Sequence, residues 1–229
     1  MHLLIPAAGR GQRMGSDRNK LLLPLLGKPL LAWTLLEAEA STEIKWIGIV
    51  GQSFDFPDFK GIIEDLNLIT PIHFIEGGNT RQESVFNGLQ ALPEEARYVL
   101  IHDGARCLVT RELFDRCSEA LNKNRAVIAG VPVKDTIKVV DEKGYITDTP
   151  DRSQMWAAQT PQGFEVELLK WCHRQGQVLG WQVTDDAALL ERCQFPVKIV
   201  EGEETNLKLT TRVDLAIAQF ILEQRQDPH

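Results

Sequence analysis

The stretch HLLIPAAGRGQRMGSDRNK, residues 2–20, runs from an apolar strand-like segment into a loop that combines glycine with positive charge. Gly9, Gly11 and Gly15 share that loop with Arg10, Arg13, Arg18 and Lys20, against the single acid Asp17. Glycine lets backbone N–H groups come close to phosphate oxygens. A loop at the carboxyl end of a first parallel strand is also where open α/β sheets bind their ligands. Two familiar phosphate-loop patterns fail here. G-x-G-x-x-G breaks at Met14, with Gly15 one position late, and the second strand-like run ends in IVGQS (49–53) with no acid to hold a ribose. G-x-x-x-x-G-K-[ST] is absent too. What remains is a set of close cations that suits a triphosphate, whose charge must be neutralised. A merely solvated connector gives no reason for glycines and cations to coincide just after the first strand.

Outward from this loop, apolar runs recur at 2–6, 44–50, 71–75, 97–102, 126–131 and 197–200. Between them lie segments with helical three-and-four spacing, at 29–40, 81–91 and 111–123. The alternation predicts parallel βαβ units in a Rossmann-like α/β fold, a mostly parallel sheet flanked by helices. Thr80 with Glu83 reads as a capping box, Thr184 as the cap of a helix over 185–194, and Thr211 with Asp214 as the start of the last helix. The length suits one nucleotide-binding domain over 1–229.

The rhythm breaks over 132–160. VKDTIKVVDEKGYITDTP (133–150) alternates apolar and polar residues about Lys143-Gly144, the pattern of a β-hairpin. An inserted arm over about 132–155 is expected. An isolated hairpin is only marginally stable, so its apolar side needs cover. A second subunit is the natural candidate, and folding back on its own domain is the alternative.

The bulk numbers narrow the partners. A net charge of −7 argues against a general nucleic-acid binder, though not against a locally basic pocket. Cys107, Cys117, Cys172 and Cys193 show no CxxC spacing and read as inert thiols in a reducing compartment. The first apolar run begins almost at Met1, so no secretory signal peptide is expected. No run reaches membrane-spanning length, and Pro24 interrupts LLLPLL (21–26). A cytoplasmic protein is expected, or a stromal one for a processed organellar chain.

Further loops carry chemistry-bearing residues. EGGNTRQESVFNGL (76–89) offers Gly77 and Gly78 for backbone approach, and Asn79, Arg81 and Ser84 to read a base or ribose. A tight turn with a capped helix explains Thr80 and Glu83 alone, and both readings can hold together. VLIHDGARCL (99–108) puts His102, Asp103 and Arg106 at the end of a buried strand. An aspartate there can meet Mg²⁺ or a ribose hydroxyl, although Asp103-Gly104 is also a good turn dipeptide. His102 by itself reads as a structural histidine. No HxxxH or CxxC suggests zinc, and no Ser/His/Asp set or activated cysteine suggests covalent catalysis.

PAAGRGQRM (6–14) with Lys20, GGNTRQESVFNGL (77–89), HDGAR (102–106), VPVKDTIK (131–138), DRSQMWAAQTPQGF (151–164), TDDA (184–187) and EGEETNLKLTT (201–211) follow one another in the chain. Together they resemble the 2-C-methyl-D-erythritol 4-phosphate cytidylyltransferases of isoprenoid biosynthesis, to about Leu222. The resemblance implies that the substrate phosphate attacks the α-phosphorus of CTP with Mg²⁺ bridging phosphates. It places Pro6, Ala7, Ala8, Gly9, Gly11 and Gly104 at the nucleotide. Arg13 and Lys20 would stabilise the transferring phosphate, with Arg152 and Lys208 also catalytic. Gly78, Asn79, Arg81 and Ser84 would hold cytosine and ribose. Asp103 and Ala105 would lie at the ribose and reacting centre, with Asp103 also near the metal. Arg106, Thr136, Arg152, Thr184 and Lys208, with Asp103, would bind methylerythritol phosphate. The arm would reach across a homodimer, so that Thr136 and Arg152 serve the neighbouring site. Gly104 stands where some relatives carry alanine.

Rival readings share parts of this pattern. A cytidylyltransferase for another alditol phosphate, such as ribitol 5-phosphate, has the same loop chemistry and a different acceptor pocket. A non-catalytic nucleotide-binding regulatory domain is expected to lack transition-state cations, and Arg13, Lys20 and Lys208 count against it. A nicotinamide oxidoreductase fails on the glycine spacing.

Overall fold

The computed structural model describes residues 1–9 and 19–226. Its centre is a seven-stranded sheet in the order β11-β7-β10-β6-β1-β4-β5. The strands are β1 (His2–Pro6), β4 (Trp46–Gly51), β5 (Ile72–Glu76), β6 (Tyr98–Ile101), β7 (Ala126–Pro132), β10 (Trp156–Glu165) and β11 (Lys198–Glu201). Strands β6, β1, β4 and β5 run parallel, as do β7 and β11. Each of the six predicted apolar runs is a strand, to within two residues at either end.

Strand β10 was not foreseen. It runs antiparallel between β6 and β7. The sheet is therefore mixed, though mostly parallel as expected.

Helices cover both faces. Helices α1 (Leu30–Ala40), α2 (Phe56–Leu66) and α4 (Arg111–Ala120) pack on one side, where Leu3, Ile5, Ile47 and Ile49 meet Leu35, Phe59 and Phe114. Helices α3 (Arg81–Gln90), α5 (Val166–Val178) and α6 (Ala187–Arg192) pack on the other, where Leu4, Val50 and Val99 meet Val85, Leu89, Leu169 and Leu189. Alternation along β1, Leu3 and Ile5 one way and Leu4 the other, splits one apolar run between two cores. A third cluster, of Leu25, Leu30, Leu108 and Leu209, lies under α7 (Arg212–Gln226). Leu25 belongs to the short ladder of β2 (Pro24–Leu25) and β3 (Lys28–Pro29).

The sheet leaves off at Pro132 and resumes at Trp156. Between them β8 (Val139–Val140) and β9 (Ile146–Asp148) form a hairpin, and Gly144 takes φ +85° in its turn. Val140, Tyr145 and Ile146 on this hairpin are exposed.

The Thr80 capping box forms with a shift. Thr80 Oγ1 accepts from Glu83 N–H at 3.1 Å, while the Glu83 carboxylate accepts from Asn79 N–H at 2.8 Å. Asp214 accepts from the Thr210 and Thr211 N–H groups, and Thr211 Oγ1 accepts from Asp214 N–H. Thr184 does not cap its helix. Asp185 Oδ1 accepts from Ala188 N–H instead, and Gln162 Oε1 accepts from Ala187 N–H, so the helix is confined to Ala187–Arg192. No described helix is long and apolar enough to cross a membrane.

Candidate active site

A cavity of about 1000 Å³ opens at the carboxyl edge of the parallel strands. The ends of β1, β4, β5 and β6 contribute Pro6 to Gly9, Gln52, Glu76 to Gly78, and Asp103 to Ala105. Helix α3 adds Thr80, Arg81 and Ser84, and distant segments add Lys20, Leu21, Lys208 and Thr210. Connections from parallel strands all exit at this edge, so loops far apart in sequence converge on it.

Backbone contacts bring the glycine loop close. Gly77 N–H donates to Gly51 O at 2.7 Å, and Ala7 N–H donates to Val50 O at 2.7 Å. A side chain on Gly78 would place its Cβ 2.3 Å from Glu83 Cβ, so only glycine fits there. Ser84 Oγ accepts from Gly78 N–H at 3.0 Å and donates to Thr80 O at 2.8 Å. It both lines the cavity and fixes the turn that reaches it.

The polar centre is a chain of alternating charges. Lys208 Nζ donates to Asp103 Oδ2 at 2.6 Å. Arg81 Nε donates to Asp103 Oδ1 at 3.1 Å, and the Arg81 Nη1 donates to Asp186 Oδ2 at 2.8 Å. Burial opposes the charge on Asp103, but Arg81 and Lys208 outweigh it and hold its carboxyl well below the usual range. Arg81 is likewise pushed up, because Asp186 and Asp103 overcome its burial. Asp103 is thus an anion at neutral pH and no proton donor.

His102 supports this centre from below. It is fully buried. Its Nε2 lies 3.1 Å from Arg106 O and its Nδ1 lies 3.1 Å from Thr160 Oγ1, which in turn accepts from Asp103 N–H at 3.0 Å. One assignment satisfies every group: Nε2–H donates to Arg106 O, and the Thr160 hydroxyl donates to Nδ1. That histidine is neutral, and burial pushes it down to about 4. The structural reading of His102 holds.

The structure brings together Pro6, Ala7, Ala8, Gly9, Lys20, Gly78, Asn79, Arg81, Ser84, Asp103, Gly104, Ala105 and Lys208 around one cavity. Arg13 and Gly11 lie outside the described residues. Four expected residues do not line it. Arg106 donates to Asn206 O at 2.8 Å and Ala158 O at 3.3 Å, tying the segment after β11 to strand β10. Thr136 and Thr184 are exposed. Arg152 sits in a separate hollow at the base of the hairpin, with Lys134, Asp151 and Trp156, and donates to Lys134 O at 2.9 Å.

Residues 1–224 match the family model described as 2-C-methyl-D-erythritol 4-phosphate cytidylyltransferase. The chain belongs to this family. The family's member in Crocosphaera subtropica is 68% identical over 225 residues, 98% of this chain and 99% of its own. The one in Synechocystis sp. is 65% identical over 225 residues, 98% of each. The crystal structure of 4-diphosphocytidyl-2C-methyl-D-erythritol synthase from Anaerococcus prevotii superimposes with a TM-score of 0.87 at 34% identity, covering 97% of each chain.

Several groups at this cytidylyltransferase site escaped the sequence reading. Gln52, in the IVGQS segment that offered no acid, lines the cavity. Asn19, beside Lys20, is buried, and its Nδ2 donates to Ala7 O at 2.6 Å and to Asp55 Oδ2 at 2.8 Å. Asp186, which the TDDA segment carried without a role of its own, is the far partner of Arg81. The adjoining Asn19–Lys20 pair was a usable signal for the first of these anchors. Nothing local in the sequence marks the Asp186 contact.

Proposed function

We propose that this cavity carries out the family's reaction, transfer of CMP from CTP to 2-C-methyl-D-erythritol 4-phosphate, with the roles that follow. An oxygen of the acceptor phosphate forms a bond to the α-phosphorus, the bond from that phosphorus to the bridging oxygen breaks, and pyrophosphate leaves with the electron pair. The products are 4-diphosphocytidyl-2-C-methyl-D-erythritol and pyrophosphate. The attacking oxygen is already ionised near neutrality, so no side-chain base is needed. Positioning and charge neutralisation then supply most of the catalysis.

The observation that carries this reading is the convergence of Lys20, Arg81 and Lys208 with the Ala7–Gly9 and Gly77–Gly78 backbone on one strand-end cavity. Lys20 and Lys208 meet the transferring phosphate, joined by Arg13 from the adjacent loop. The Lys208 side chain is 42% exposed and, among the described residues, ion-pairs with Asp103 alone, so an incoming phosphate competes for it. Pro6 to Gly9 and Gly78 with Gly104 form the nucleotide cradle. Asn79, Arg81, Ser84, Asp103 and Ala105 hold cytosine and ribose.

A divalent cation such as Mg²⁺ would offset phosphate charge and orient the pyrophosphate. Both Asp103 oxygens already accept from cationic side chains, and among the described residues no three His, Cys, Asp or Glu side chains gather as a metal site. This fits an ion held chiefly by phosphate oxygens, with Asp103 as its protein ligand once Lys208 turns away.

The acceptor half is assigned to Arg106, Thr136, Arg152, Thr184 and Lys208. The hairpin's exposed Val140, Tyr145 and Ile146 support packing on a second copy of the chain, which brings Thr136 and Arg152 to the neighbouring cavity. We place the homodimer in the cytoplasm.

The test is pyrophosphate release from CTP and Mg²⁺, with methylerythritol phosphate and ribitol 5-phosphate as parallel acceptors. Fast release with methylerythritol phosphate alone is expected. Release with ribitol phosphate alone overturns the acceptor assignment and keeps the cation roles. Silence with both, from a protein that binds CTP, favours a regulatory nucleotide-binding domain.

A further inference from the structure

Beyond the cavity wall lies a buried pair that the reaction does not use directly. Asp186, at the start of α6, has a side chain only 1% exposed. Its Oδ2 accepts from Arg81 Nη1 at 2.8 Å, and its Oδ1 faces His173 Nε2 at 3.5 Å. His173, on α5, is fully buried and stacks on Phe86 of α3, with centroids 5.6 Å apart. Among the described residues, its Nδ1 and Nε2 both lack a partner at hydrogen-bond distance. The 3.5 Å approach is therefore a loose contact that a small shift of either ring or carboxylate would close.

Arg81 thus has two anionic anchors of different kinds. Asp103 is shared with Lys208, at 2.6 Å, and borders the cavity. Asp186 is sealed from solvent and, among the described residues, ion-pairs with no lysine and no arginine except Arg81. When a phosphate draws Lys208 away, the charge balance at Asp103 changes. Asp186 neither lines the cavity nor pairs with Lys208, so its own contacts are not the ones the phosphate competes for. A planar guanidinium held by two carboxylates at separate nitrogens has its plane fixed, which one point contact cannot do.

We propose that Asp186, backed by His173, is a positioning residue that fixes the Arg81 guanidinium for the nucleotide. This rests on the reading of Arg81 as a nucleotide-binding group. Asp186 is the constant anchor, and Asp103 is the anchor whose partners exchange during turnover. The competing explanation is that Asp186 only neutralises a buried arginine and joins α6 to α3. That role would lower stability without selecting one substrate.

The experiment is a kinetic double-mutant cycle on the full chain, with KM for CTP, KM for methylerythritol phosphate, kcat and melting temperature read for each variant. Asp186→Asn keeps the shape and an acceptor and removes the charge. It is expected to raise KM for CTP roughly tenfold, the scale of one charge-assisted hydrogen bond, with KM for the acceptor unchanged. Arg81→Ala is expected to raise KM for CTP at least as much, and Arg81→Ala/Asp186→Asn no further. His173→Leu, which keeps a packed side chain against Phe86, gives a second route if Asp186→Asn does not fold. It is expected to raise KM for CTP several-fold, an effect that vanishes in the Arg81→Ala background. An unchanged KM for CTP in these variants, or effects that multiply with Arg81→Ala, overturns the inference. An unchanged KM for CTP in Arg81→Ala itself overturns the assignment of Arg81 and leaves the two failures distinct.

Discussion

Lys208 Nζ lies 2.6 Å from Asp103 Oδ2, joining positions 105 residues apart in the chain across the mouth of the cavity. Lys20 lines the same cavity, with its Nζ 3.3 Å from the backbone oxygen of the neighbouring Leu209. Both cations line the cavity proposed to hold the phosphates. A preorganised cation aimed at charge developing in the transition state is worth about 3–5 kcal/mol, or roughly two to four decades in rate. Lys20→Ala and Lys208→Ala are each expected to cut kcat by that range while circular dichroism stays native. Steady-state pyrophosphate release measures it, and unchanged turnover in both variants removes these residues from the mechanism.

His102 sets a pH dependence of stability. Burial pushes its folded value down to about 4, whereas in the unfolded chain it titrates near its ordinary ~6.5. The unfolded state therefore binds the extra proton between those values. The neutral histidine's contribution is complete above about pH 6.5, falls as pH drops toward 4, and is constant below. The whole change is about 3 kcal/mol. His2 is lowered as well, chiefly by burial, and adds a loss of the same sign. Asp103 and Asp186 lie below their usual value despite burial, because of Arg81 and its neighbours, so their losses begin only under about pH 4. Urea midpoints from pH 7 to 4 should fall in the wild type and fall less in His102→Asn. Equal slopes in the two proteins would refute the assignment.

The βαβ rhythm was legible because the inner parallel strands are buried on both faces and so read as unbroken apolar runs, as in WIGIVG (46–51). Strand β10 was not legible for the opposite reason. WAAQTPQGFE places Pro161 and two glutamines inside a central strand, against the usual rule for proline. Its ladder to β7 shifts register between Ala158 and Gln162, which accommodates the proline. The glutamines are engaged across the fold: Gln159 Nε2 donates to Glu203 O at 2.9 Å, and Gln162 Nε2 to Asp185 Oδ2 at 2.9 Å. Loop residues next to strand ends, such as Gly78 and Asp103, could be placed from order alone. Asp186 could not, since its meaning comes from α3 and α6 touching 105 residues apart.

Gly104 offers a test of packing behind Lys20. A Cβ there would lie 2.7 Å from Leu21 Cδ1 and 3.2 Å from Ile5 Cγ2. Leu21 is buried and belongs to the same short turn, Lys20–Leu22, that presents Lys20. Gly104→Ala therefore overpacks the site, at a cost of about 1–3 kcal/mol, and displaces Lys20 enough to lower kcat. Leu21→Val withdraws the clashing methyl. The Gly104→Ala/Leu21→Val pair is expected to melt higher than Gly104→Ala alone and to recover part of its turnover. Additive losses in melting temperature would show that Leu21 is not the obstacle.

Arg152 and Lys20 occupy different hollows of the chain, one at the base of the hairpin and one at the strand ends. If one active site needs both, the Arg152 it uses comes from the hairpin of a second copy. Arg152→Ala and Lys20→Ala homodimers are then each impaired at both of their sites. In a mixed dimer one site takes intact Lys20 from one chain and intact Arg152 from the other, and the remaining site carries both defects. With random exchange at equal concentrations, about half of all dimers are mixed, and each has one complete site. Activity should therefore rise on mixing to about a quarter of the wild-type value per chain, an estimate that follows from additive independent sites. Subunit exchange is followed by mass spectrometry of differently tagged chains. No recovery once exchange is complete would place Arg152 in the service of its own chain, or of no site.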